Sequence, residues 1–182
     1  MDQIFHLMHV AAACAFALTM AYAGISDVLS YRIPNWIPVV IAAAFFPAAV
    51  GAGWDIDAMA IQFGAGAAVL IAGVVLFALG VIGGGDAKLL AAGAVWTGWG
   101  ELPAFLLLVA LGGGVLGLAL IAFRRAKLPA AIEARAWARR LHDAASPAPY
   151  GVAICMAALV LLPDLPLSAE PTTALTGWLT GG

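Results

Sequence analysis

Apolar runs separated by short polar joints make up most of the chain. A helix needs about 20 apolar residues to cross the hydrocarbon core of a bilayer. Six stretches approach that length: about Ile4 to Ile25; Trp36 to Gly53, short and holding Pro38 and Pro47; Ala58 to Val81, long and clean; Ala87 to Trp99, clearly short; Leu102 to Phe123; and Tyr150 to Leu162. The expected fold is therefore all-α, a polytopic membrane protein of about six transmembrane helices in a single membrane-embedded domain, residues 1–182. One sizeable polar stretch, 124–149, interrupts the pattern. Its middle suits a short interfacial helix, with arginines on one side and Ile132, Trp137 and Leu141 partly on the other, lying on anionic lipid. The end, 165–182, is too broken by proline and polar residues to cross again and reads as an extracytoplasmic tail.

Composition sharpens this. Hydrophobic residues make up 64% of the 182 residues and charged residues 10%, against about a quarter charged in a soluble domain. Water is not the main solvent of such a chain. A net charge of −2 and the lack of a basic stripe with interleaved aromatics give no support to nucleic-acid binding. Cys14 and Cys155 lie far apart in apolar runs without C-x-x-C spacing, which speaks against zinc and for two small residues buried facing lipid or neighbouring helices. The N-terminal apolar run lacks a basic flank and reads as a first membrane helix, not a cleaved signal.

The basic residues orient the chain. Arg32 follows the first stretch, Lys88 the third, and Arg124, Arg125, Lys127, Arg135, Arg139 and Arg140 the fifth, so all eight Lys and Arg fall on alternate connections. The opposite connections carry Asp2, Asp55, Asp57, Glu101, Asp164 and Glu170, with Trp54, Trp99 and Trp178 as interfacial anchors. Both termini are thus expected outside, and the segments 26–35, 82–88 and 124–149 in the cytoplasm.

That side holds four acids. Glu133 and Asp143 sit among arginines and read as solvated or ion-paired. Asp27 and Asp86 each lie where a helix meets the membrane surface, and two crossings separate them, so they share a side. Ionisable groups at such depth point to function. Two carboxylates brought together share a proton; one then activates a water while the other protonates the developing oxyanion or the leaving amine. No convincing nucleophile competes: Ser26 and Ser30 flank Asp27 without a neighbouring histidine, and His6 and His9 belong to the far end of the first helix. Gly83, Gly84 and Gly85 leave the start of the fourth helix free of side chains, so that an extended peptide can approach its backbone. Each acid also has a plainer reading. Asp86 after a glycine turn suits a helix N-terminus. Asp27 suits a pair with Arg32, or a cap on the turn that Pro34 and Asn35 enforce.

These residues resemble the type IV prepilin peptidases, a family of G-x-G-D aspartic membrane proteases. Gly83, Gly84, Gly85 and Asp86, followed by Lys88, look like its signature. Asp27 followed by Arg32, Ile33, Pro34 and Asn35 is similar to its earlier acid and R-I-P-N corner. Pro149, Tyr150 and Gly151 in "APYGVAI" resemble its P-[YF]-G opening to the last helix. The three motifs stand in the family's order; G-x-G-D alone also occurs in presenilin-like proteases. The resemblance implies an Asp27/Asp86 catalytic pair without a cofactor or metal. It implies prepilin and pseudopilin precursors as substrates, cut after a short basic leader. No counterpart of the methyltransferase portion and its cysteine cluster is present, so the chain looks like the short CpaA/TadV-type branch of Flp pilus systems, without N-methylation. The cytoplasmic side has four more basic than acidic residues, so a basic leader is not drawn there by long-range charge. The substrate helix is then expected to pack laterally, on the glycine-rich third and fifth helices or elsewhere, although ordinary packing within the chain explains most of those glycines. Two readings compete: a small ion- or proton-coupled transporter using the same acids, and a scaffold in a secretion assembly.

Overall fold

The computed structural model describes residues 2–168, without the side chains of Asp2, Gln3, Phe5, His6 and His9. Among the described residues every regular element is helical: α1 (Asp2–Ser30), α2 (Trp36–Gly51), α3 (Ile56–Ala78), α4 (Gly84–Arg125), α5 (Ala130–Glu133), α6 (Ala136–His142) and α7 (Gly151–Val160), followed by 3₁₀ turns at Leu162–Asp164 and Pro166–Ser168. Most of the expected tail, with Glu170 and Trp178, lies outside the described residues, as do the side chains of His6 and His9.

Among the described residues three helices are long and apolar enough to cross a membrane: α1 over Val10–Ser30, α3 and α4; α2 and α7 are shorter apolar helices. The chain is a polytopic, all-α membrane protein. Most boundaries fall within a few residues of the sequence expectation, and two differences matter for the site. The first helix does not stop near Ile25 but continues to Ser30, because serine and aspartate at 26–30 are tolerated where Ser26 and Ser30 bond backbone carbonyls. Asp27 therefore sits inside the last turns of α1.

The expected fourth and fifth helices are one assigned element, α4, broken at Gly98 (φ 59°, ψ −175°). The two arms double back on each other. A methyl group on Gly93 would lie 2.8 Å from the ring of Phe105, whereas twelve residues of straight helix span about 18 Å. Only glycine adopts that backbone geometry readily, so Gly98 makes the reversal without a loop. The first arm starts at Gly84 and rises about 21 Å, short of a full crossing.

The buried core brings Phe16 and Met20 of α1, Ile37, Ile41 and Phe45 of α2, Trp96 and Phe105 of α4 and Ile154 of α7 together. Trp96 is its hub: the indole stacks at a tilt on Phe16 at 4.4 Å and meets Phe45 edge-on at 5.8 Å. Its Nε1–H donates to the Ile41 carbonyl at 2.8 Å, satisfying the one polar group it buries. The glycines of α3 and α4 serve internal packing: Gly66 faces Val95, Gly73 faces Ala87, Gly112 faces Ala153 and Gly113 faces Tyr150. Gly114 and Gly117 face open space.

The polar segment folds as two short helices, α5 and α6, in place of one interfacial helix. Ala138 and Leu141 of α6 are buried, while Ile132 and Trp137 stay partly exposed. Arg124 at the end of α4 donates from Nε to the Leu141 carbonyl at 2.9 Å and from Nη2 to the Ser146 carbonyl at 2.7 Å. Arg140 donates from Nη2 to the Leu29 carbonyl at 2.6 Å, capping the C-terminal end of α1 with a cation. These three bonds hold the segment against the ends of α1 and α4.

Candidate active site

The chain leaves α1 through a tightly bonded corner. The Tyr31 amide donates to the Asp27 carbonyl at 2.8 Å, and Tyr31 takes a left-handed backbone with φ 54°. Ser26 Oγ donates to the Arg32 carbonyl at 2.8 Å and Ser30 Oγ to the Ser26 carbonyl at 2.7 Å. Both serines are spent on the corner, in keeping with their lack of a histidine partner. Pro34 then holds Ile33 extended, and the Ile37 amide closes onto the Pro34 carbonyl at 3.0 Å to start α2.

Asp27 is buried, 6% exposed. Its Oδ2 accepts from the backbone N–H of Gly151 at 2.8 Å, so its hydrogen-bond partner is the first residue of α7 and not the Arg32 guanidinium. Asp86 is the third residue of α4, whose N-cap is Gly83. Its carboxylate lies beside Gly83, where a methyl group would come within 2.7 Å of Oδ2, so its charge stands at the N-terminal end of the helix. The helix-capping reading of Asp86 is thus correct as local structure, and it also fixes where the carboxyl stands.

The two acids meet across a cavity of about 480 Å³ walled by residues 31–35, the glycines 83–85 and both carboxyl groups. Liquid water takes about 30 Å³ per molecule, so the space accommodates a stretch of peptide and not merely one water. Gly85 lies against Ile33, where a methyl group would sit 3.3 Å from its Cβ. The glycine turn and the R-I-P-N corner are therefore packed edge to edge. Lys88 Nζ donates to Asn35 Oδ1 at 2.9 Å, tying α4 to the corner on the exposed side.

The remaining motif residues fall in place around this pair. Pro149 is fully buried, the Tyr150 hydroxyl donates to the Val109 carbonyl at 3.4 Å, and Gly151 is buried against Asp27 and Ile33. Arg32 is exposed on the rim. Asp143 bonds its own turn, accepting from the Ala145 amide at 3.0 Å, and Glu133 is exposed. Among the described residues no group of three His, Cys, Asp or Glu side chains gathers as a metal site would.

Sequence reasoning missed Tyr31. Its hydroxyl is buried without a partner, and burial pushes the phenol above its ordinary pKa. The only signal in the sequence was a bulky residue directly after a helix end, where glycine or asparagine is usual.

A family model described as the type IV leader peptidase family matches residues 14–118. The match spans both acid-bearing segments and ends before the Pro149–Gly151 motif. No curated protein and no solved structure matches the chain.

Proposed function

The chain belongs to the type IV leader peptidase family, and from that premise we propose that it is an aspartic endopeptidase that cuts the short basic leader from Flp-type or other type IV prepilins and pseudopilins. The observation that carries this reading is the cavity shared by Asp27 and Asp86. One ionised carboxylate takes a proton from water as the water oxygen adds to the scissile carbonyl carbon. The other carboxyl, protonated, donates to the carbonyl oxygen. Collapse of the tetrahedral centre breaks the C–N bond and passes a proton to the departing amine. The leader leaves with a new carboxylate and the pilin with a new amino group. No side-chain nucleophile and no cofactor take part.

The glycines at 83–85 suit this chemistry, because a substrate backbone can lie against them without meeting a side chain. Cleavage at the cytoplasmic face of an inner membrane is supported by charge. Arg32 and Lys88 flank the acid pair, and Arg124 and Arg140 bond around the same end of the bundle, as the positive-inside bias requires. On this reading both termini are outside.

Co-expression with a Flp-type prepilin tests the proposal. Leader loss on a gel is expected with the native chain. It is expected to vanish with Asp27→Asn and with Asp86→Asn, while each variant stays in the membrane. Normal processing by both variants would falsify the acid-pair mechanism. Acid-dependent ion flux without cleavage is the outcome that a transporter predicts.

A further inference from the structure

Tyr31 has no part in the chemistry above, yet three features converge on it. Among the described residues it is the one non-glycine with a positive φ, 54°. At that position past a helix end glycine or asparagine fits the backbone at least cost, and a bulky residue fits badly. Backbone geometry therefore does not explain a tyrosine; the side chain must. Tyr31 also lines the cavity that Asp27 and Asp86 share. Its hydroxyl is shut off from solvent and has no hydrogen-bond partner in the chain, although Asp27, Arg124, Arg140 and Asp143 all act on it electrostatically. Buried phenols ordinarily find a partner, and an unmatched one is destabilising. Backbone strain and an unmatched donor thus coincide on one residue that lines the acid-pair cavity, the kind of place where strain is kept for function.

We propose that Tyr31 is a further catalytic residue, whose hydroxyl donates a hydrogen bond to the scissile carbonyl oxygen of a peptide bound between Asp27 and Asp86. The inference rests on the peptidase reading. A peptide supplies the acceptor that the chain itself does not. The phenol keeps its proton throughout, since the two carboxyls carry the proton traffic. The bond strengthens as water adds and the carbonyl oxygen gains negative charge, so it acts chiefly in the transition state. The role requires the hydroxyl, shut off from solvent without peptide, to rotate into the cavity as the peptide binds.

The test uses the purified full chain in detergent with a purified Flp-type prepilin, following leader release against substrate concentration, and thermal unfolding in parallel. Tyr31→Phe removes the hydroxyl alone. It is expected to lower kcat about 100-fold, in line with loss of one oxyanion donor, with KM within about twofold and unfolding unchanged. Tyr31→Asn suits the left-handed backbone better and is expected to unfold no earlier than the native chain while losing the same activity. Stability and activity then part company, which a packing role does not produce. Native kcat in Tyr31→Phe overturns the assignment. So does a loss confined to KM, or a fall in stability that tracks the fall in activity in both variants. Absence of cleavage by the native chain, or equal cleavage by Asp27→Asn, removes the peptidase reading itself and Tyr31's role with it.

Discussion

The backbone N–H of Gly151 donates to Oδ2 of Asp27 at 2.8 Å, across 124 residues of chain. The bond brings the start of α7 against the end of α1 and leaves the other carboxylate oxygen of Asp27 outside that bond. It also explains why the P-Y-G motif needs its glycine.

A methyl group at residue 151 would lie 2.9 Å from Asp27 Oδ2 and 2.9 Å from Ile33 Cδ1. The methyl would also stand 3.2 Å from Asp27 Cβ, so the acid has to shift to make room. Gly151→Ala is therefore expected to push Asp27 out of place and lower prepilin processing about 100-fold, since displacements near 1 Å have that effect in active sites. Membrane-bound protein should remain. Gly100→Ala, at a site with no atom within 4 Å, serves as control and should process normally. Equal processing by the two variants refutes the claim that Gly151 sets the position of Asp27.

The three glycines before Asp86 are not equivalent. An added methyl would come within 2.7 Å of Asp86 Oδ2 at Gly83, but only 3.4 Å from the Phe77 ring at Gly84 and 3.3 Å from Ile33 at Gly85. Gly83→Ala should thus be the most damaging to leader cleavage, by at least tenfold relative to Gly84→Ala. Initial rates of the three alanine variants at saturating substrate check this order. Gly83→Ala as the mildest of the three would show that Asp86 tolerates displacement.

Much of this site was legible before any coordinates. Counting crossings put Asp27 and Asp86 on one side, because hydropathy and the run of basic residues are properties of the chain alone. The Gly98 reversal was not, since two adjacent apolar stretches read as two helices whether a loop or one glycine joins them. The Gly151–Asp27 bond was out of reach for a different reason. It depends on α7 packing beside α1, and nothing in the spacing of distant motifs states which helices are neighbours. Tyr31 went unread because strain is a property of φ, and an ordinary tyrosine carries no mark of it.

Lys88 reaches Asn35 Oδ1 at 2.9 Å on the exposed side of the site, so it joins two walls of the cavity without bonding either acid. Lys88→Ala should lower activity by less than about tenfold, in keeping with an exposed hydrogen bond of roughly 1 kcal/mol. Asn35→Ala should do the same, and the double variant should lose little more than either single one, because both remove one bond. A loss in Lys88→Ala as complete as that in Asp86→Asn means that the ammonium takes part in binding or catalysis directly.

Gly98 offers a test of the fold itself. Its φ of 59° with ψ −175° lies in a region that is essentially glycine's alone, at about 1–3 kcal/mol for any other residue. Gln62 adds a second obstacle: its side-chain amide, 8% exposed, occupies the space that a methyl group at residue 98 would need. Gly98→Ala is therefore expected to open the hairpin between the two arms of α4, unseating Trp96 and Phe105 from the core. The variant should accumulate poorly in membranes and unfold in detergent well below the native chain, with activity falling in proportion to folded protein. Pairing it with Gln62→Ala makes room but leaves the backbone strain, so partial recovery of stability is expected. Full recovery in the double variant would assign the defect to crowding alone, and an unaffected single variant would mean that the arms reverse without help from Gly98.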